Sequence, residues 1–280
     1  MRRITNLLLV VGLTATAAKS NQWPKYASAK TKEAIERMIN AHGGMEKWQK
    51  APTVSFNTHF KVNFGGNNWV SYWEEMTVEQ GTRRVYATLP NADKTFGRIA
   101  FDGKRAWSAG NLQGIARAPA RFTAWRDYYM FNIPWLTQDP GVNLGEPEKG
   151  RLPMLEGSKE YITVKMTFDP GTGDTPKDHY VLYIDPDTHR LKASEHVMTF
   201  ASMMQGDAES GPPSIVVWEE TANVNGLIVP AKYTVYWKAG NSIAVKDGAI
   251  SNWSFSKPFD ESQLLMPPDG EPDESSPAKM

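Results

Sequence analysis

Val54-Ser55-Phe56-Asn57-Thr58-His59-Phe60-Lys61-Val62-Asn63-Phe64 decides the fold class. Val54, Phe56, Phe60, Val62 and Phe64 fall on one side of an extended chain, and Ser55, Asn57, His59, Lys61 and Asn63 on the other. That period of two is the mark of a strand with one face in a core and one in water. Gly65-Gly66-Asn67-Asn68 follows as a hairpin turn. Working outward, Trp69 to Val78, Arg83 to Leu89, Phe96 to Phe101 and Arg105 to Ser108 continue the pattern, broken by Gln80-Gly81, Pro90-Asn91 and Asp102-Gly103. Such short turns predict antiparallel neighbours.

A second strand set is expected at Tyr161 to Phe168, His179 to Asp185, Arg190 to Phe200, Ser214 to Val224, Leu227 to Trp237 and Ser242 to Phe255. Asp185-Pro186-Asp187-Thr188 and Asn225-Gly226 are read as turns within it. Only two long helices accompany the strands. Ser28 to His42 carries Ile35, Met38, Ile39 and His42 at helical spacing and stops at Gly43-Gly44, after which Met45 to Trp48 reads as one more short turn. Ala116 to Trp135 holds Phe122, Trp125, Tyr128, Tyr129, Met130, Phe131, Ile133 and Trp135, with Pro134 expected to end or kink it. So much sheet with so little helical cover must curl on itself, which predicts a mainly β protein: a strongly curved antiparallel sheet, an unclosed half-barrel, with two main helices over its concave face.

Arg2 and Arg3, the apolar run Leu7 to Leu13 and the small residues Ala15 to Ala18 come in the order of a cleavable export signal, predicting a signal peptide over 1–18 and a periplasmic mature chain. No later stretch has the roughly 18 to 20 apolar residues of a transmembrane helix. The chain holds no cysteine, so disulfides and thiolate chemistry are out. Its 31 basic and 31 acidic residues balance, which argues against nucleic acid as a partner. One domain over 23–265 is expected, followed at 266–280 by a disordered tail rich in Pro, Asp, Glu and Ser.

Three strings add a resemblance: Ala41-His42-Gly43-Gly44-Met45-Glu46-Lys47-Trp48, Pro134-Trp135-Leu136-Thr137-Gln138-Asp139-Pro140-Gly141-Val142, and Asp174-Thr175-Pro176-Lys177-Asp178-His179-Tyr180 followed by Tyr183-Ile184-Asp185-Pro186. With the order of elements, they resemble a family of exported bacterial proteins in the lipoprotein-localisation superfamily of the carrier LolA and the receptor LolB. The resemblance implies an unclosed barrel whose apolar concave face is partly lidded by helices. It implies no particular cargo.

Function is accordingly read as binding: an apolar ligand, such as a lipid or a lipoprotein acyl chain, held in the concave face, with no cofactor, no metal and no covalent step. Expected cavity and lid residues are Phe56, Phe60, Phe122, Trp125, Tyr128, Tyr129, Phe131 and Trp135, joined by Met203 and Met204, whose flexible thioethers suit varied chains. Aromatics at helical spacing are more often plain core, so the lid competes with packing. An enzyme alternative rests on His179, His196 and Asp178. If Ile184 pairs with His189, His179 falls opposite Ser194 and diagonal to His196, although no HExxH, G-x-S-x-G or Walker pattern accompanies them. A second alternative is an envelope interaction module whose groove takes a protein segment.

Overall fold

The computed structural model describes residues 23–275 apart from 156, 158, 205–207, 239 and 241; the expected signal peptide lies outside the described residues. Its strands are β1 (Lys25–Tyr26), β2 (Thr53–Asn63), β3 (Trp69–Glu79), β4 (Val85–Pro90), β5 (Phe96–Phe101), β6 (Ala106–Gly110), β7 (Val142–Leu144), β8 (Glu148–Gly150), β9 (Tyr161–Phe168), β10 (His179–Ile184), β11 (Leu191–Val197), β12 (Ser214–Val224), β13 (Leu227–Trp237), β14 (Ser242–Ser254) and β15 (Glu271–Pro272). The α-helices are α1 (Ala29–Ala41), α2 (Met45–Lys50) and α3 (Ala120–Leu136). All strands join one unclosed sheet in the order β1-β7-β9-β10-β11-β12-β13-β14-β2-β3-β4-β5-β6-β15, with β8 attached to β9. Every pairing is antiparallel except β1 with β7.

The sheet's curvature follows from its contacts with α3. Phe122 and Trp125 are one helical turn apart, yet Phe122 meets Phe200, just past β11, and Trp125 meets Phe101 on β5, each at 5.4 Å between ring centroids. β11 and β5 stand seven positions apart in the sheet, roughly 34 Å if it were flat. Only a sheet wrapped around the helix brings both to one turn of it. The long, one-face-apolar strands drive that wrapping, because bending lets them bury their inner side chains against a single aromatic helix.

Local chemistry sets the helix ends. The Ser28 hydroxyl caps α1 by accepting the Thr31 amide at 3.2 Å. Gly43 and Gly44 then turn the chain with φ of 102° and 87°. At Gly43 a Cβ would overlap the Gly226 carbonyl oxygen, so the β12–β13 turn seats directly on this glycine. α3 starts behind Pro119, which supplies no side-chain cap.

That cap comes from the chain end, where the expectation of a disordered tail needs correction for the described residues. Asp273 Oδ2 accepts the Arg121 amide at 2.7 Å, Asp273 N–H donates to the Ala106 carbonyl at 2.9 Å, and β15 pairs with β6. Upstream, the Trp107 Nε1–H donates to the Leu264 carbonyl at 2.8 Å. A polar, proline-rich segment is ordered here because it satisfies a sheet edge and a helix N-terminus already in place.

Four short strands, β1, β7, β8 and β15, carry no signal in the sequence. Each has two or three residues, too few to show a period.

Candidate functional site

The predicted lid residues sort by depth along α3. Tyr128, Phe131 and Trp135 are wholly buried, as is Phe56, and Phe60 is nearly so. Phe131 packs between Phe56 at 5.6 Å and Tyr233 at 4.9 Å, and Trp135 stacks on Trp48 at 4.6 Å. These side chains fill the concavity; they do not roof a hollow, which corrects the lid reading for them. Aromatics around several faces of one helix found partners because the sheet itself surrounds it. Phe122, Trp125, Tyr129, Met203 and Met204 are half-buried.

The helix also carries polar groups into the core. Arg83 Nη1 donates to the Tyr128 hydroxyl and Nη2 to Asp139, both at 2.7 Å, and the Tyr128 hydroxyl donates to Gln80 at 2.8 Å. Burial raises the pKa of Tyr128, and pushes Tyr129 up to about 12 with help from the Asp139 charge.

A more unusual cluster sits where α3 faces β3. Arg126 donates from Nε and Nη2 to the two oxygens of Asp127 at 2.6 and 3.2 Å, and from Nη2 to Glu74 Oε2 at 3.1 Å. Glu74 and Asp127 are each 1% exposed and Arg126 17%. Burial, then the Asp127 charge, raise the Glu74 pKa well above the ordinary carboxyl value, only partly offset by Arg126. Burial works against the Arg126 cation, but Asp127 and Glu74 outweigh it and raise its pKa. Glu74 Oε1, Arg126 Nη1 and Thr123 Oγ1 are buried without a hydrogen-bond partner among the described residues. These three residues line, with Phe60, Tyr72 and Ile115, a space of about 10 Å³, enough for about one water.

Beside it opens a much larger groove of about 550 Å³. Phe64, Trp69, Val70, Ser71, Tyr72 and Trp73 form one wall, and Asn91, Ala92, Gln113 and Gly114 the other. It exists because β4 pairs with β3 only from Glu75 to Val78, which leaves the first half of β3 as a free edge on that side. The hairpin tip thus outruns its cover, and Phe64 is 53% and Val70 38% exposed. Gly114, at φ 52°, lies so close under the Tyr72 hydroxyl that a Cβ there would overlap it. None of the predicted ligand-binding residues lines this groove, although Phe60 borders the small space beside it. The available signal was the aromatic-rich pair Phe64 and Trp69-Val70-Ser71-Tyr72-Trp73 around a four-residue turn, which puts rings on both faces of a hairpin tip.

The histidines are not assembled as the enzyme alternative requires. Tyr180 lies opposite His196 and His179 opposite Val197, so the two imidazoles project from opposite faces of the sheet. His189 adopts φ 56° and belongs to the turn, and a register shift lies between Tyr183 and Ile184. The three-residue slip from the assumed Ile184–His189 pairing is odd, and an odd slip exchanges faces. His196 instead stacks on Tyr180 at 4.4 Å and meets Asp178 at 3.2 Å, while Asp178 also accepts from the Thr199 amide and hydroxyl, each at 2.6 Å. Among the described residues no group of three or more His, Cys, Asp or Glu gathers to hold a metal.

No family model matches the chain, and no curated protein matches it in sequence. Solved structures do share its architecture. A LolA superfamily protein from Nitrosomonas europaea superposes with a TM-score of 0.52 at 9% identity, over 85% of this chain and 98% of that one. The fold is LolA-like. A DUF1329 family protein from Desulfovibrio piger gives the same TM-score, identity and coverage. At such identity the likeness speaks for the LolA-like half-barrel alone. Among the described residues no helix is long and apolar enough to cross a membrane.

Proposed function

We propose that this protein is an exported, periplasmic binder of an apolar ligand, most simply an acyl chain, and that the chain lies in the groove along the free edge of β3. The observation that carries this reading is the groove itself: about 550 Å³, walled by Phe64, Trp69, Val70, Tyr72 and Trp73, with Phe64 and Val70 held out in solvent. That volume falls within the range of small-molecule sites, about 300 to 1,000 Å³. Burial contributes about 0.8 kcal/mol per methylene, so about ten methylenes supply the 8 kcal/mol or so of micromolar affinity before ordering costs. No covalent chemistry is needed, and the arrangement of His179 and His196 gives the hydrolase alternative no support. The LolA-like fold agrees with the reading without demonstrating it.

A fluorescent acyl ester titrated into the full chain tests it. Val70→Glu is expected to weaken uptake by at least about tenfold, because it puts an unpaired charge into the apolar wall. Trp125→Ala, away from the groove, should leave uptake within about twofold of the native chain. The opposite ranking would return the site to α3.

A second reading rests on the same free edge. The unpaired half of β3 offers main-chain donors and acceptors that an extended protein segment could take up as an added strand. Competition between the acyl ester and a strand-forming peptide would separate the two.

A further inference from the structure

We propose that Glu74, Thr123 and Arg126 receive the polar head of the groove's ligand, and that this head is a neutral hydroxyl-bearing group, as in a monoacylglycerol, and not a carboxylate. The inference rests on the acyl-chain reading of the groove and adds the chemistry of the ligand's other end. The small space lined by these residues and the groove share Tyr72, Trp73 and Asn91 as a common wall, so a chain in the groove ends beside the charged cluster.

The unpartnered atoms define what fits. Arg126 Nη1 can only donate, while Thr123 Oγ1 and the Glu74 carboxyl, which burial holds towards its neutral form, can each donate or accept. A hydroxyl is complementary to that set, donating to Glu74 and accepting from Arg126, and its oxygen takes no more room than the roughly one water that the space can hold. Leaving such groups unpaired in a buried site is costly, so a head that pairs them is favoured over one that does not. A carboxylate offers acceptors alone. It would also bring a further negative charge into a buried cluster in which two carboxyl groups already share one guanidinium. Burial, and after it the Asp127 charge, raises the Glu74 pKa, so the cluster already disfavours added negative charge.

The test compares three ligands of one chain length, 1-monolauroylglycerol, laurate and methyl laurate, displacing a fluorescent acyl ester from the full chain at pH 8. Native protein is expected to bind monolauroylglycerol at least about tenfold more tightly than laurate, and also more tightly than methyl laurate, which lacks a hydroxyl donor. In Glu74→Leu, where Arg126 keeps Asp127 as its partner, the advantage over laurate should shrink to within about twofold. Thr123→Val, which removes one hydroxyl at constant shape, should shrink it partway. Circular dichroism checks folding, and if Glu74→Leu does not fold, the Thr123→Val result decides. Equal affinity of native protein for all three ligands would overturn the head-group site while the groove stands. Failure of all three ligands, and of the acyl ester itself, to bind would mean that the groove reading has failed first.

Discussion

The closed and open ends of the half-barrel are built from the same kinds of residue and behave oppositely. At the closed end the C-terminal half of α3, with α1 and α2, lies inside the curve of the sheet, and His42, Trp48, Phe131, Trp135 and Trp218 are all buried. At the open end Phe64 and Val70 continue the same inward-facing rows of β2 and β3 but stay exposed. Aromatic content therefore does not distinguish core from site here; burial does.

The difference predicts opposite mutational signatures, and the largest effects belong at the closed end. Phe56→Ala and Phe131→Ala are each expected to lower unfolding stability by about 3 to 5 kcal/mol in urea titrations, since both rings are wholly buried. Near-neutral values would mean that the closed end is as open as the rim.

His42 gives the closed end a pH dependence. The Leu191 amide donates to its Nε2 at 3.0 Å, so Nδ1 carries the proton and donates to the Ile228 carbonyl at 2.7 Å. The neutral ring is thus bonded on both sides and buried, and burial lowers its pKa to about 4 despite the Ile228 bond. A folded-state pKa below the unfolded value of about 6.5 means that the unfolded chain binds the proton more readily. The stabilisation is complete above pH 6.5 or so, falls as the pH drops from there towards 4, and amounts to on the order of 3 kcal/mol. Urea midpoints between pH 4 and 7 should show this slope in the native chain and a shallower one in His42→Gln.

A smaller effect is expected where the chain end caps α3. Asp273→Ala should cost about 0.5 to 2 kcal/mol, the usual value of a lost N-cap, read as a drop in the thermal midpoint. Truncation after Leu265 should cost at least as much, because β15 is lost too.

The smallest stability change belongs to the rim. Phe64→Ala is expected to shift stability by no more than about 0.5 kcal/mol, as an exposed substitution does. Acyl-ester affinity should nevertheless fall severalfold, since the ring walls the groove. A destabilisation comparable to that of Phe56→Ala would erase the contrast between the two ends.

What the sequence determined by itself is what local periodicity encodes. Val54, Phe56, Phe60 and Val62 do face inward, β2 and β3 pair in register through their whole length, and Gly43-Gly44 ends α1, because alternation and turn chemistry act over a few residues. His42 was legible as part of the buried face of α1, though not its bonds to Leu191 and Ile228, which lie 149 and 186 positions away. Only the tertiary structure decided the rest. The β10–β11 register turned on the left-handed turn residue His189 together with the register shift between Tyr183 and Ile184, and the two put His179 and His196 on opposite faces. The cluster of Glu74 with Arg126 and Asp127 joins a strand to a helix 52 residues on, where no spacing rule applies. The groove depended on where β4 stops pairing with β3, a contact between strands that no local period encodes. Periodicity tells which way a side chain points, and curvature decides whether anything is there to meet it.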